Sequence, residues 1–376
     1  MEKIKVAHVV NSLGGLDVWV RLTLDTIDSE RFENVIIHSI DDTKHEFLDN
    51  RGIPVKEYKI VIKRNLSLLH DFKAIISAYK ILKKERPHII HAHSAKGGVI
   101  GRIAGRLLGI PTMYTPNAFS YLSTNSRIKK YIFIVIEKLL ANGNSVLVAT
   151  SASEYDRGIS EVGYLPKNAV VLNNSIKPLS AVPQLTIPKT WPDTYICTVG
   201  RPSYQKNIEL MLHAVSEIKK HRSIHLLLLG VGIVQDRIGS VLSLIDTLDL
   251  KNNVTLIEWT NRQNVLNIIN DAKLYISTSR YEGMPYAVLE SLALGKPCVV
   301  SNRDGNKDLI INDYNGYIIN SESPNDYAQK IMALLNNDQL LETFSANAKK
   351  SFEENYNLSI NIKKLEKIYT SYARDL

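Results

Sequence analysis

Cysteine is scarce in this chain: there are two in 376 residues, Cys197 and Cys298, each inside an apolar run with no second cysteine or clustered histidines nearby. That excludes a disulfide framework or a thiolate metal site, and it suits buried packing thiols in a reducing compartment. Long apolar runs are missing as well. The opening MEKIKVAHVVNSLGG holds too short an apolar stretch for a signal peptide, and no later segment approaches the ~18 apolar residues that a membrane span needs. The expected location is therefore the cytoplasm. There is no D-x-D string and no clustered ligand set, so no metal is expected. Zinc-finger spacing, RNP-like strings and arginine-rich runs are also lacking, which argues against a nucleic-acid partner. No low-complexity segment or short repeat interrupts the chain.

What remains is an ordinary globular composition, 44% hydrophobic and 22% charged, in a chain long enough for two domains. The net charge of +8 is unevenly placed. Residues 1–178 hold 25 Lys/Arg against 17 Asp/Glu, while the rest of the chain balances at 21 of each. A one-sided basic surface suits nucleic acid, anionic lipid or an anionic substrate, and it equally serves solubility alone.

A short β-branched run, a turn and a helical pattern repeat from end to end, which predicts parallel sheets covered by helices. In the first half the strands read 4–10, 34–40, 88–94, 111–115 and 145–150, with helices at 67–85 and 96–108. The second half repeats the rhythm at 195–200, 224–230, 254–259, 274–279 and 297–302. Between the halves, residues 173–193 carry Pro178, Pro183, Pro188 and Pro192 with little periodicity, as a linker would. The domain expectation is therefore 1–178, a linker at 179–192, a second domain at 193–355, and a helical tail at 356–376 whose docking partner periodicity cannot choose. In open parallel sheets ligands bind beyond the carboxyl ends of the strands, so the loops there are where chemistry is sought.

After the first strand, Gly14 and Gly15 precede a helical pattern beginning near Asp17. Paired glycines let a backbone approach a phosphate, although such a turn often needs glycine anyway. The second half opens with VGRPSYQKNIELML, where Arg201 and Lys206 project from one loop and could neutralise a departing diphosphate. The most informative segment is SRYEGMPYAVLESLALGKPCVVS. Gly283, Met284 and Pro285 form a turn leading into a helix whose first N–H groups suit a phosphate. Glu290 lies within that helix's apolar pattern, where a carboxylate needs a partner, and it could accept two hydrogen bonds from a ribose diol. Glu282, before the turn, lies nearer the position of a transferred sugar.

These strings, with HAHSAKGGVIGRIAGRLLGIPTMYTPNAF upstream, resemble family 4 retaining glycosyltransferases, those that build bacterial exopolysaccharide, capsule or lipopolysaccharide most of all. The resemblance spans nearly the whole chain in order. It implies an α/β GT-B fold of two Rossmann-like domains facing across a cleft, with the C-terminal helix returning to the first. By that likeness Arg201 and Lys206 hold the donor diphosphate, Glu290 the ribose, and Glu282 with the Gly283–Pro285 backbone the donor sugar, while Gly15 approaches from the other domain. The donor implied is a nucleotide diphosphate sugar, with UDP as the nucleotide by analogy. The acceptor implied is a saccharide, by analogy a lipid-linked one.

The chain departs from the family where relatives read T-P-H-G and it reads Thr115, Pro116, Asn117, Ala118. Asn117 can orient a sugar but cannot act as acid or base. His93 is a second candidate for the acceptor side, with a satisfied structural histidine as the bland reading. Arg127, Lys129 and Lys130 open a strongly apolar helix, which suits either the inner membrane's cytoplasmic face, with a lipid-linked acceptor, or a buried helix with a basic start. Two other activities stay open at this point. One is a nucleotide-sugar epimerase or a phosphorylase on the same architecture, and the other is a sugar-nucleotide-binding partner without catalysis.

Overall fold

The computed structural model describes residues 2–373 except 12–14, 44, 64–66, 180, 183 and 233–236. The chain forms two compact units, Met1–Asn174 with Leu358–Leu376, and Ser175–Asn357.

The first unit is built on seven parallel strands: β1 (Ile4–Val9), β2 (Phe32–Ser39), β3 (Lys56–Ile60), β4 (Ile89–His93), β5 (Thr112–Thr115), β6 (Ser145–Ala149) and β7 (Ala169–Val171), in the order β3-β2-β1-β4-β5-β6-β7. Its helices are α1 (Gly15–Leu24), α2 (Leu68–Glu85), α3 (Ser94–Leu108), α4 (Arg127–Leu140) and α5 (Ala152–Arg157). The second unit repeats the plan with β8 (Ile196–Val199), β9 (Leu226–Val231), β10 (Val254–Glu258), β11 (Tyr275–Ser277), β12 (Cys298–Ser301) and β13 (Gly316–Ile319), ordered β10-β9-β8-β11-β12-β13 and again parallel. Its helices are α6 (Ile208–Lys219), α7 (Ile238–Thr247), α8 (Arg262–Asp271), α9 (Tyr286–Ala293), α10 (Asn306–Leu309), α11 (Pro324–Leu335) and α12 (Asp338–Asn355). In each sheet the winding reverses beside the unit's first strand, at β1/β4 and at β8/β11. That switch point opens a crevice at the strands' carboxyl ends.

The inner strands of both sheets are buried on both faces, which is why several of them read as continuous apolar runs rather than alternating ones. In β9 all six residues are buried, and Leu226 and Leu228 pack with Met211, Val215 and Ile331 in one core. In the first unit α3 lies close on its sheet because Gly97, Gly98, Gly101 and Gly105 face it. A Cβ at Gly98 would stand 2.2 Å from the Tyr114 ring.

The tail helix, α13 (Leu358–Ala373), belongs to the first unit. Tyr369 Oη lies 2.7 Å from His91 Nδ1, and Glu366 accepts from the Asp28 N–H at 3.0 Å. The division of the chain falls at Asn174/Ser175, four residues before the expected domain end. The proline-rich 179–192 segment lies inside the second unit rather than standing apart from both. There Thr186 donates from N and Oγ1 to Asn264 Oδ1 at 2.8 and 3.0 Å, and Trp191 is buried; Pro183 is outside the described residues. No described helix is long and apolar enough to cross a membrane.

Candidate functional site

In the second unit, the loop after β8 and the loop after β11 are stitched together. Thr278 Oγ1 donates to the carbonyls of Lys206 (3.1 Å) and Asn207 (2.9 Å), and the Arg280 N–H donates to the Gln205 carbonyl at 2.8 Å. The Arg280 guanidinium lies 4.4 Å over the Tyr204 ring and donates to the Tyr204 carbonyl at 2.6 Å. Gly200, at the end of β8, leaves room for the Lys206 stem: a Cβ there would come within 2.8 Å of Lys206 Cε. Asn207 takes a left-handed backbone (φ 52°) to start α6.

This stitching gathers Lys206 and Glu282. Glu282 is buried, and its Oε1 accepts from Lys206 Nζ (2.8 Å) and Ser279 Oγ (2.7 Å), while Oε2 accepts from Gln205 Nε2 at 3.1 Å. Lys206 is thus not a solvated loop cation but the half-buried arm of a polar cluster around buried Glu282, and a carboxylate holds it where a phosphate could compete for it. Arg201 is half-buried at the head of the same loop.

The turn into α9 follows from sequence as expected. Pro285 stands at the N-cap with φ −73°, so its missing N–H costs nothing there. Met284 is buried, and Gly283 touches another backbone, since a Cβ on Gly305 would lie 2.4 Å from the Gly283 carbonyl. Glu290, in the fifth position of α9, is 6% exposed. Burial pushes its carboxyl up, and the Arg262 guanidinium opposes that. Arg262 Nε donates to Glu290 Oε1 at 2.8 Å.

In the first unit, Gly15 is the first residue of α1, and Gly14 lies outside the described residues. Asp17 pairs with Arg21 one turn on, at 2.9 Å. Asn117 and Ala118 both have positive φ, 53° and 74°. Glycine suits such a backbone better than alanine does, so Ala118 is strained. Buried Glu154 holds the turn: its Oε1 accepts from the Ala118 N–H at 2.7 Å, and its Oε2 accepts from Thr150 N (2.7 Å) and Oγ1 (3.0 Å). Asn117 Nδ2 is buried without a hydrogen-bond partner, a donor available to a ligand.

His93 is wholly buried rather than exposed for an acceptor, and this corrects its expected place. It sits 4.6 Å from the Trp19 ring and 4.0 Å from the His91 ring, centroid to centroid, with its Nε2 3.3 Å from His8 Nδ1. The cause is register: His8 pairs with His91 across β1 and β4, and His93, two residues on, shares their face. Burial pushes all three histidines down, His8 to about 4. Their ligand nitrogens lie within 4.8 Å of one another. Both nitrogens of His8 and of His91 are already hydrogen-bonded, to His93, Asn34, Tyr369 and Thr115. No carboxylate acts on the trio among the described residues, so it fits a packed polar core better than a divalent ion.

Arg127 and Lys130 lie on the fully exposed start of α4, beside Ile128 (75% exposed) and Tyr131 (70%). Farther along α4, Glu137 is buried and accepts from Arg102 Nη2 at 2.8 Å. Sequence reading did not reach Gln205, Ser279, Arg262 or Glu154. Gln205 is beside Lys206, and Glu154 follows the Ser151 N-cap at the capping-box interval, but Arg262 carries no local signal.

Two family descriptions match the chain: "Glycosyl transferases group 1" over residues 187–351 and "Glycosyl transferase 4-like domain" over residues 14–174. The UDP-Gal:alpha-D-GlcNAc-diphosphoundecaprenol alpha-1,3-galactosyltransferase of Escherichia coli is 28% identical over 98% of this chain and 97% of its own length. The capsular polysaccharide biosynthesis glycosyltransferase CapM of Staphylococcus aureus is 23% identical over 100% of this chain and 99% of its own. Among solved structures, Anabaena HepE in complex with UDP superposes with a TM-score of 0.77 at 17% identity, covering 98% of this chain and 100% of that one. The expected GT-B class of two Rossmann-like domains is borne out.

Proposed function

This chain belongs to the group 1 glycosyltransferases, of the GT-B type, and on that premise we propose that it moves a sugar, with retention, from a UDP-sugar to a lipid-linked saccharide in bacterial surface polysaccharide synthesis. The Escherichia coli relative's name carries both a UDP donor and a diphosphoundecaprenol-linked acceptor, and the Staphylococcus aureus relative's name carries capsule synthesis. The observation that carries the reading is the Lys206–Glu282 pair, with Glu282 buried, beside Arg201 at the carboxyl end of β8, and Glu290 on the helix that follows Gly283–Pro285.

Arg201 and Lys206 stabilise the charge that grows on the leaving diphosphate, aided by the first N–H groups of α9. That positive charge comes from the chain itself, and the reading needs no metal. When the diphosphate arrives, Lys206 turns from Glu282 toward it, and the released carboxylate accepts from hydroxyls of the donor sugar. Glu290 takes the ribose. Asn117 orients the reacting sugar through its unpartnered Nδ2, and Gly15 lets backbone approach the donor. With no carboxylate assigned as nucleophile, the departing phosphate serves as base to the incoming hydroxyl. The exposed basic and apolar start of α4, with Arg127 and Lys130, meets the membrane surface that carries the acceptor. An epimerase would convert the donor without an acceptor, an outcome product NMR distinguishes directly.

The test is transfer from UDP-sugars to a lipid-diphosphate-linked sugar. Arg201→Ala should lower turnover by well over tenfold, on the scale of about 3 kcal/mol for one lost transition-state donor. Near-normal turnover in that variant would remove the diphosphate clamp.

A further inference from the structure

Glu290 does not stand alone. Its Oε1 is occupied by Arg262 Nε at 2.8 Å, and Arg262 is the first residue of α8, set there by the Asn261 N-cap, whose side chain accepts from the Asn264 N–H at 2.9 Å. The Arg262 side chain is 40% exposed while that of Glu290 is 9% exposed, so the pair reaches from the interior to the surface. One turn before Glu290 on α9, the Tyr286 hydroxyl is buried with no hydrogen-bond partner. The charges of Arg262 and Glu290 both act on it. An orphaned buried hydroxyl beside a half-occupied carboxylate needs explaining.

We propose that Arg262 is a positioning residue for the nucleoside diol, fixing Glu290 so that its second oxygen accepts from a ribose hydroxyl, and that the Tyr286 hydroxyl is a further contact to the same diol. This rests on the assignment of Glu290 to the ribose. The geometry divides the labour: Arg262 consumes one carboxylate oxygen and sets the rotamer, leaving Oε2 and the Tyr286 hydroxyl to the ligand. Ionisation follows from the same contact. Burial favours the protonated Glu290, and a protonated carboxyl has lost part of its capacity to accept. Arg262 is the charged group that opposes this. Among the described residues α12, α10 and β12, which also pack on α9, bring no charge to bear on Glu290. Tyr286, raised well above its ordinary value by burial, stays a phenol and so keeps its proton to donate.

The experiment is calorimetric titration of the full chain with UDP and with 2′-deoxy-UDP from pH 6 to 8.5, for the wild type, R262Q, R262K, Y286F and E290Q, each checked for an unchanged unfolding temperature. Wild type should bind UDP more tightly than 2′-deoxy-UDP across the range. R262Q should lose about tenfold in UDP affinity at pH 6, and because Glu290 then ionises at higher pH, it should recover as the pH rises. R262K should restore the flat pH profile in part. Y286F should weaken UDP several-fold and leave 2′-deoxy-UDP less affected. If R262Q binds both nucleotides as wild type does at every pH while E290Q loses the discrimination, this proposal is overturned and the ribose assignment stands. If E290Q itself leaves the discrimination intact, the ribose assignment fails first.

Discussion

Acid should weaken the first unit before the second, and the buried histidine trio sets how much. The folded pKa of His8 lies near 4, against 6.5 for the free side chain, because burial disfavours the imidazolium. The unfolded chain therefore takes up the proton first. Stability is intact above pH 6.5 and is lost as the pH falls toward the folded value. For His8 alone the loss is about 1 kcal/mol at pH 5.5 and about 3 kcal/mol at pH 4. His91 and His93, shifted in the same direction, add to it. Asp49 and Glu85 in the same unit are held below their ordinary values by hydrogen bonds and by neighbouring cations, so their contribution is lost only at lower pH. A comparison at pH 7.5 and 5.5 thus isolates the histidines of the first unit. The second unit has His225, half-buried and shifted the same way, so its loss should be smaller. Hydrogen exchange read by mass spectrometry in graded urea resolves the two units, and His8→Gln, which keeps a donor for Asn34, should flatten the first unit's slope by about 1 kcal/mol. Equal acid sensitivity in both units, or an unchanged slope in His8→Gln, would mean that the buried histidines do not set the acid response.

Two further outcomes follow from packing and surface. Glu137→Ala leaves Arg102, 2% exposed, without its carboxylate, and should cost about 3–5 kcal/mol in urea unfolding; a loss under 1 kcal/mol would mean that the guanidinium finds water. Charge reversal at Arg127 and Lys130 together should reduce cosedimentation with vesicles containing phosphatidylglycerol, by about 1 kcal/mol of binding per basic residue removed, and leave binding to neutral vesicles at its basal level.

Much of the fold was legible because fully buried parallel strands announce themselves: β9 and β12 are mostly apolar runs, and each lies within two residues of its expected bounds. The edges were not. β3 reads KEYKI, with charges at three of its five positions, and β7 and β13 are three and four residues long, so none of them gives an apolar period to read. Pro285, Gly283 and Glu290 could be placed because their chemistry is local, a proline at a helix start and a carboxylate in an apolar stripe. Arg262 could not, since its partner lies 28 residues away and only the packing of α8 against α9 brings them together. His93 stood open between an acceptor-side and a structural role for a related reason: only the register shows His8 and His91 on its face and Trp19 over them. The Asn117–Ala118 turn hid its anchor likewise, Glu154 being 36 residues on.

In the proposed function the second unit holds the donor diphosphate at the head of β8 and its ribose at α9. A crystal structure of the full chain with UDP tests it most directly. Phosphate oxygens should lie within hydrogen-bond reach of Arg201 and Lys206, with Lys206 parted from Glu282, and ribose hydroxyls on Glu290. Nucleotide seated away from these loops, with the Lys206–Glu282 contact intact, would contradict it.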